Sequence, residues 1–269
     1  MNHFFGNRHK IQLLAVASLF WGTSATAGFL LESPINITPS EVTHTALPSL
    51  SFNYSTNASL TVLNTGSPDV EKSIKATPTL ANSTLNITGD INTYTLLQFH
   101  FHEPSEHLFN SMAEPMEMHM VFTKDGTNPD LVVGRLIELG AHNALLDPIF
   151  SQLSTGLLHP NDQITVNGFN LTQLLPNTFD SFRYDGSLTT TPYTTGIQWI
   201  LLAQDLFMDQ PQINAFETLF FNGNSRETQP LNGRVVLTDV ASFIPEPSSL
   251  ALMLIGFAAF GSFQRRKTL

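Results

Sequence analysis

The sequence predicts a mainly β domain of the β-rich α+β class. Short runs of Val, Ile, Leu, Phe and Thr recur through residues 28–240 and are separated by Asn, Gly, Pro and Asp, a pattern of strands and turns. Aromatic residues make up 10% of the 269 residues, with 21 Phe, and these side chains favour strands. Hydrophobic residues make up 42% and charged residues 13%, so a folded core is feasible. No internal repeat or long linker interrupts residues 28–240, so we expect a single domain there.

A few short helices are expected beside the strands. The first begins at Asp147-Pro148, where a capping residue precedes a proline suited to the first turn, and runs towards Leu153. The second begins near Asp209 and has apolar residues at helical spacing. Its apolar face would carry Ile213, Phe216 and Phe220.

The charge balance and the absence of cysteine exclude several kinds of site. The formal net charge is −10, and residues 28–244 hold 7 of the 12 basic and 21 of the 22 acidic residues, a net charge of −14. Such an acidic domain repels phosphates, so we expect no nucleic-acid partner. Without cysteine, no disulfide can form and no thiolate can bind a metal. A metal site must therefore use His and carboxylate side chains.

Residues 1–27 have the pattern of a secretory signal peptide. A positive region with Arg8 and Lys10 precedes the apolar run Ile11–Trp21 and the small-x-small cleavage site Ala25-Thr26-Ala27. The alternative is a buried N-terminal helix. The order of the three parts favours export from the cytoplasm.

Residues 241–269 have the pattern of a sorting or anchor segment. Pro245-Glu246-Pro247 precedes the apolar stretch Leu250–Phe263, which is short for a transmembrane segment, and basic residues follow at 265–267. This pattern resembles the PEP-CTERM sorting signal of Gram-negative bacteria, which implies processing by an exosortase. An ordinary C-terminal membrane anchor is the alternative. Membrane contact would involve only the terminal segments, and the domain would lie in the periplasm, at the outer surface or in the extracellular matrix.

Three histidines lie in two segments that have the alternation of strands. In Tyr94–His102, one face would carry Leu96, Gln98, His100 and His102. The opposite face would carry Leu97, Phe99 and Phe101. In Met116–Phe122, one face would carry Glu117, His119 and Val121. Prolines in residues 103–115 can turn the chain back, so two antiparallel neighbours would bring the three histidines together.

This arrangement favours a metal site. Catalytic zinc takes three protein ligands and keeps a fourth position for water, whose pKa falls to about 7. Each imidazole also needs an acceptor for its other nitrogen. Gln98 lies two residues before His100 and Glu117 two residues before His119, so both can serve. The alternation alone leaves open another metal that binds imidazoles, a hydrolase instead of a hydratase, or histidines that are simply buried polar groups.

Several motifs in register resemble those of bacterial α-type carbonic anhydrases. The segments QFHFH at 98–102, PSEH at 104–107 and Glu117-x-His119-x-Val121 are similar to the zinc-binding core of that family. The flanking motifs are SPINI at 33–37, LNTG at 63–66, YDGSLTT at 184–190 and QPLNGR at 229–234. They occur in the family's order with similar gaps, and the resemblance covers about residues 33–240.

The resemblance implies a fold, a cofactor and a reaction. The fold would be one domain with a large, mostly antiparallel central sheet. The reaction would be the reversible hydration of carbon dioxide to bicarbonate and a proton by hydroxide bound to Zn²⁺. The zinc ligands would be His100, His102 and His119, supported by Gln98 and Glu117.

The resemblance also implies roles for residues around the zinc. Thr189 would accept the hydrogen bond of the hydroxide, and Glu106 would accept the hydrogen bond of the Thr189 hydroxyl. With its proton committed in this way, the Thr189 oxygen can only accept, and its backbone N–H could support developing negative charge. The substrate pocket would be lined by Val121, Val132, Leu188, Trp199 and Thr190.

Two departures from the family affect these expectations. The family commonly has a proton-shuttling histidine just after the LNNG turn, where this chain has Ser67. Serine cannot carry a proton near neutral pH, so proton release would limit turnover. Tyr193 stands where relatives often have a cysteine, and the disulfide of exported relatives cannot form.

Two other functions remain open on the sequence. One is a catalytically silent, carbonic-anhydrase-like binding module in an extracellular matrix. Silent relatives typically lose a ligand histidine, whereas all three are present here. The other is zinc-dependent ester hydrolysis as the main role, for which the sequence shows no dedicated pocket.

Overall fold

Strands make up most of the described chain, which covers residues 30–66 and 72–243 of this computed structural model. The predicted signal peptide, the apolar C-terminal stretch and Ser67 lie outside the described residues. Within the described ranges, no helix has the length and apolar character needed to cross a membrane.

The described ranges form fourteen strands and two α-helices. The strands are β1 Asn36–Ile37, β2 Val42–His44, β3 Leu50–Asn53, β4 Ala58–Asn64, β5 Ile74–Pro78, β6 Thr84–Ile87, β7 Thr93–His102, β8 Leu108–Phe109, β9 Met116–Thr123, β10 Leu131–Leu139, β11 Gln163–Phe169, β12 Ser181–Ser187, β13 Thr195–Met208 and β14 Val236–Thr238. The helices are α1 Asp147–Phe150 and α2 Gln210–Leu219.

Twelve of these strands form one large sheet. Its main path runs β11-β4-β5-β7-β9-β10-β13-β12-β14-β2, and β6 pairs with both β7 and β3. In the described part of this sheet, the parallel neighbours are β10 with β13 and β14 with β2, and the other pairings are antiparallel. The prediction of a β-rich domain with a large, mostly antiparallel sheet is confirmed. Strands β7 and β9 occupy its centre.

The sheet separates two apolar clusters. The larger cluster contains the buried side chains of α1 and α2 and one face of β9, which carries Met116, Met118, Met120 and Phe122. The smaller cluster contains Trp199, Val132 and, from the opposite face of β9, Val121. Because Glu117 and His119 share the face of Val121, the histidine face of β9 is the face of the smaller cluster.

A β-bulge in β7 overturns the predicted faces of Leu96 and Leu97. Leu96 and Gln98 pair with successive residues of β9, so Leu97 has no partner in that register. The extra residue reverses the side-chain alternation before Gln98. Leu96 therefore lies in the larger cluster, whereas Leu97 packs against the smaller cluster. The prediction that Leu96 shares the face of Gln98 is wrong.

Both helices lie where the sequence predicts them, but the cap and the end of α1 differ from the prediction. Helix α2 begins after the predicted cap Asp209, whose side chain accepts a hydrogen bond from the Gln212 N–H at 3.0 Å. Its predicted apolar face, Ile213, Phe216 and Phe220, is buried. Helix α1 ends at Phe150, short of the predicted end, and its cap is Leu146, so the predicted cap at Asp147 is wrong. The Asp147 side chain instead makes tertiary contacts, 2.9 Å from His142 Nε2 and 3.1 Å from Gln212 Nε2, which donates to it.

Candidate metal centre

The three predicted ligand histidines lie together at the centre of the sheet. Strands β7 and β9 are antiparallel neighbours, as predicted, and His100 pairs directly with His119. All three side chains are buried, with exposures of 4% for His100 and 1% each for His102 and His119. One ring nitrogen from each histidine lies within 4.8 Å of the other two. A single ion between the rings could therefore contact all three.

A hydrogen-bond acceptor orients each ring at its other nitrogen. The contacts are His100 Nδ1 to Gln98 Oε1 at 2.8 Å, His119 Nε2 to Glu117 Oε1 at 2.9 Å, and His102 Nδ1 to the Asn224 carbonyl oxygen at 3.3 Å. Because these partners accept, each ring donates there and its remaining nitrogen can bind a metal. Those nitrogens are Nε2 of His100, Nε2 of His102 and Nδ1 of His119.

Glu117 is a buried carboxylate with four nearby nitrogen donors. Its Oε2 accepts from the backbone N–H groups of Glu106 and His107 at 2.9 Å each, and its Oε1 lies 2.8 Å from His107 Nδ1. Burial alone would raise the pKa of Glu117, but the charges and hydrogen bonds of His107 and His119 outweigh burial and hold that pKa well below its usual range. Burial lowers the pKa of His119, which favours the neutral ring that a metal ligand requires.

The donor set fits Zn²⁺. Three imidazole nitrogens with an open fourth position are a known ligand set of catalytic zinc, and each ring here is already oriented by an acceptor. The chain contains no cysteine that could compete for the ion.

Gly134 on β10 leaves room for the Glu117 carboxylate. It pairs with His119 across β9 and β10. A Cβ atom at Gly134 would lie 2.4 Å from Leu201 Cδ2 and 3.0 Å from Glu117 Oε1. The contact of 2.4 Å would force the end of the Leu201 side chain to move, and the contact of 3.0 Å would push the Glu117 carboxylate by a few tenths of an ångström.

A small cavity of about 80 Å³ opens beside His100 and His119. The predicted pocket residues all line it, namely Val121, Val132, Leu188, Trp199 and Thr190. Gln98, Thr189 and Pro129 complete the lining. A liquid water occupies about 30 Å³, so the cavity suits a molecule of a few heavy atoms. One part of its wall is apolar, and Gln98, the two histidines and the two threonines form the polar part.

Both residues predicted to be catalytic lie beside the histidines. Glu106 is 2% exposed, its Oε1 accepts from the Arg226 backbone N–H at 2.9 Å, and its Oε2 lies 3.8 Å from His119 Nδ1. Oε1 also lies 3.4 Å from His102 Nδ1. Thr189 is 8% exposed in the cavity wall. The hydrogen bond between Thr189 and Glu106 stays a prediction.

The family description of eukaryotic-type carbonic anhydrases matches residues 18–240, most of the chain. The chain belongs to the carbonic anhydrase family. A curated carbonic anhydrase of Neisseria gonorrhoeae is 35% identical over 208 residues, which cover 77% of this chain and 76% of the relative. One from Klebsiella pneumoniae is 33% identical over 206 residues, covering 77% and 79%.

A solved structure supports the same assignment. The α-carbonic anhydrase of Thermovibrio ammonificans, in complex with the inhibitor sulfanilamide, matches with a TM-score of 0.68 at 30% identity, covering 77% of this chain and 86% of that one. The chain is thus an enzyme of the carbonic anhydrase class, whose members hydrate carbon dioxide reversibly to bicarbonate. Enzymes of the α class use zinc.

The C-terminus has a separate match. The description of the PEP-CTERM protein-sorting motif matches residues 243–267, so the predicted resemblance is confirmed. The motif indicates a secreted protein of a Gram-negative bacterium and suggests processing by an exosortase.

Sequence reasoning missed several parts of this carbonic anhydrase site. The Asn224 carbonyl lies 122 residues from His102, and a backbone acceptor leaves no signal in side-chain patterns. His107 Nε2 lies 2.7 Å from the Tyr184 hydroxyl, which donates to Ser33 Oγ at 2.9 Å. All three residues stand in motifs recognised above, PSEH, YDGSLTT and SPINI, but nothing in the sequence shows that they meet.

A second group of potential metal ligands overlaps the first. His107, Glu117 and His119 also offer atoms within 4.8 Å of one another. Here Glu117 already accepts hydrogen bonds from both histidines, at 2.8 Å from His107 and 2.9 Å from His119. We therefore interpret this group as support for the His119 ring.

Replacing Gly134 with Ala should weaken both folding and metal binding. The added methyl group must displace Leu201 and crowds Glu117, so we expect a loss of about 1–3 kcal/mol in unfolding free energy. A displaced Glu117 would also lower Zn²⁺ affinity by roughly tenfold or more. Chemical denaturation and competition titration with a chelator measure the two effects.

Val133→Ala is the matched control, because Val133 neighbours Gly134 but is buried in the larger cluster on the opposite face. It should lose stability to a similar degree and keep the Zn²⁺ affinity of the wild type. Equal affinity losses in both variants would contradict the specific effect of Gly134 on Glu117.

Proposed function

We propose that this enzyme hydrates carbon dioxide with a Zn²⁺ ion held by His100, His102 and His119. Two observations support the proposal. A separate acceptor orients each of the three buried rings. One nitrogen of each ring lies within 4.8 Å of the other two, so one ion could contact all three. A bound Zn²⁺ would supply a Lewis acid that lowers the pKa of a water ligand to about 7.

Thr189 and Glu106 would control the direction of one hydrogen bond in the cavity. Glu106 accepts from the Arg226 N–H and lies beside the His119 ring, and its carboxylate would accept a hydrogen bond from the Thr189 hydroxyl. The Thr189 oxygen would then serve only as an acceptor for the reacting water. The Thr189 N–H would support negative charge as bicarbonate forms.

The cavity wall would bind carbon dioxide without a charged partner. Val121, Val132, Leu188 and Trp199 give that wall an apolar surface, and Thr190 adds a polar group. Carbon dioxide is small and uncharged, so it is compatible with a cavity of about 80 Å³. No apolar extension for a larger ester substrate lines this cavity among the described residues.

We propose that proton release proceeds without a histidine shuttle. Ser67 stands at the position of the family's shuttle histidine and has no group that titrates near neutral pH. Protons would leave through solvent and buffer, so the release step would be slow.

We also propose the processing and location of the enzyme. A signal peptidase would remove residues 1–27, the domain would span residues 28–240, and an exosortase would act on residues 241–269. The enzyme would then work in the periplasm, at the outer surface or in the extracellular matrix, and would touch the membrane only through its terminal segments.

Loss of one ligand histidine should abolish activity together with zinc binding. His119→Ala should retain less than a stoichiometric amount of zinc and should lose carbon dioxide hydration by several orders of magnitude. A chelator should inactivate the wild type, and added Zn²⁺ should restore it. Stopped-flow hydration assays and elemental analysis measure these outcomes. His159→Ala is the matched control, because the His159 side chain is 74% exposed and lies away from the cavity lining.

The same assays separate the three functions. A silent binding module would bind zinc without hydrating carbon dioxide. A dedicated esterase would hydrolyse esters far faster than it hydrates carbon dioxide. Full activity in His119→Ala would refute the ligand assignment.

Small imidazole buffers should accelerate the zinc-loaded enzyme. At constant pH and ionic strength, the maximal hydration rate should rise several-fold and then saturate, because the buffer carries the proton that Ser67 cannot. Ser67→His should raise the rate at low buffer and reduce its dependence on buffer. A rate that does not change with buffer concentration would contradict this proposal.

A further inference from the structure

Arg226 contacts three segments of the chain, at Glu106, at residues 32–33 and at Tyr193. Its backbone N–H donates to Glu106 Oε1 at 2.9 Å. Its guanidinium donates to the Ser33 carbonyl oxygen at 2.6 Å and pairs with the Glu32 carboxylate. The guanidinium carbon also lies 3.6 Å from the ring centroid of Tyr193. The Arg226 and Glu32 side chains are only 15% and 19% exposed, so solvent screens this pair less than a surface ion pair.

Tyr193 occupies a backbone conformation that bulky residues avoid. Its φ angle is 60°, in the left-handed region, where a side chain other than that of Gly, Asn or Asp is an outlier. Such a conformation persists only when surrounding contacts enforce it. The stacked guanidinium of Arg226 and the hydrogen bond from the Tyr193 N–H to the Thr190 carbonyl are contacts that can do so.

The turn that contains Tyr193 also carries Thr189 and Thr190. The Tyr193 N–H donates to the Thr190 carbonyl at 2.7 Å, and the Leu188 N–H donates to the Thr194 carbonyl at 2.9 Å. These bonds close residues 188–194 into one turn on the cavity wall. A change in the backbone conformation at Tyr193 would therefore be transmitted through these bonds to Thr189 and Thr190.

The Ser33 segment, which binds the Arg226 guanidinium, is hydrogen-bonded to strand β12 of the sheet. The Ser33 N–H donates to Ser187 Oγ at 3.0 Å, and the Ser187 N–H donates to Ser33 Oγ at 3.2 Å. Both serines are fully buried. Ser187 is the last residue of β12 and precedes the turn directly. The hydrogen bonds to β12 thus hold Ser33 and the neighbouring Glu32 where they bind Arg226.

We propose that Glu32, Arg226 and Tyr193 form a clamp that positions the 188–194 turn over the metal centre. Tyr193 and Arg226 are positioning residues, since they act through Thr189 and touch no reacting atom. Because the Arg226 N–H also fixes Glu106, one residue sets the positions of both Thr189 and its predicted acceptor. The clamp rests on the proposed role of Thr189.

Tyr193→Gly separates positioning from stability. Glycine adopts a positive φ without strain, so this variant should unfold at a temperature close to that of the wild type. It removes the stacked ring, so kcat/KM for carbon dioxide hydration by the zinc-loaded enzyme should fall roughly tenfold. Tyr193→Phe keeps the ring and should retain wild-type activity. Arg226→Gln keeps the backbone N–H to Glu106, loses the stack and should resemble Tyr193→Gly in kcat/KM.

A double-mutant cycle with Thr189→Ala tests whether the clamp acts through Thr189. In that background, Tyr193→Gly should cause a smaller further loss than in the wild type, because the Thr189 hydroxyl that it positions is already gone and only the backbone N–H remains. Zinc content should stay stoichiometric in every variant. Additive losses, or equal losses in Tyr193→Phe and Tyr193→Gly, would overturn the clamp. Full activity in Thr189→Ala would instead refute the proposed role of Thr189, so the two failures are distinguishable.

Discussion

The pairing of His100 with His119 across β7 and β9 determines the rest of the site. A slip of β9 by one residue against β7 would turn His119 to the face of the sheet opposite His100 and His102. The register is held by the other face of the same two strands, where Phe99, Met118 and Met120 are fully buried in the larger cluster. Hydrophobic burial on one face therefore fixes the positions of the three histidines on the other.

Two buried carboxylates, Glu106 and Glu117, lie beside the histidine rings. A buried anion is costly unless hydrogen bonds satisfy it, and Glu117 receives them from two ring nitrogens and two backbone N–H groups. Two of these donors come from residues 106 and 107, so the carboxylate that orients His119 also fixes the backbone of Glu106. Glu117 thus links the position of the His119 ring to the position of Glu106. Gly134 leaves room for the Glu117 carboxylate in this arrangement.

The sequence predicted the local pattern of this enzyme better than its long-range contacts. Alternation placed residues 98–102 on the correct faces because regular strands have a fixed period of two. It failed at Leu96, where a bulge interrupts that period without any Gly or Pro to mark it. The cap at Asp209 was predictable, whereas Asp147 bonds His142 and does not cap α1, which depends on tertiary structure. The Asn224 carbonyl and the stacking of Arg226 on Tyr193 join segments distant in sequence, so only the fold reveals them.

Zinc-edge anomalous diffraction from crystals of the enzyme tests the central claim most directly, because it locates the ion without relying on activity. The account predicts one zinc peak bounded by Nε2 of His100, Nε2 of His102 and Nδ1 of His119. A peak at the overlapping group of His107 and Glu117, or a fully occupied zinc that leaves any of the three ligand rings uncoordinated, would contradict it.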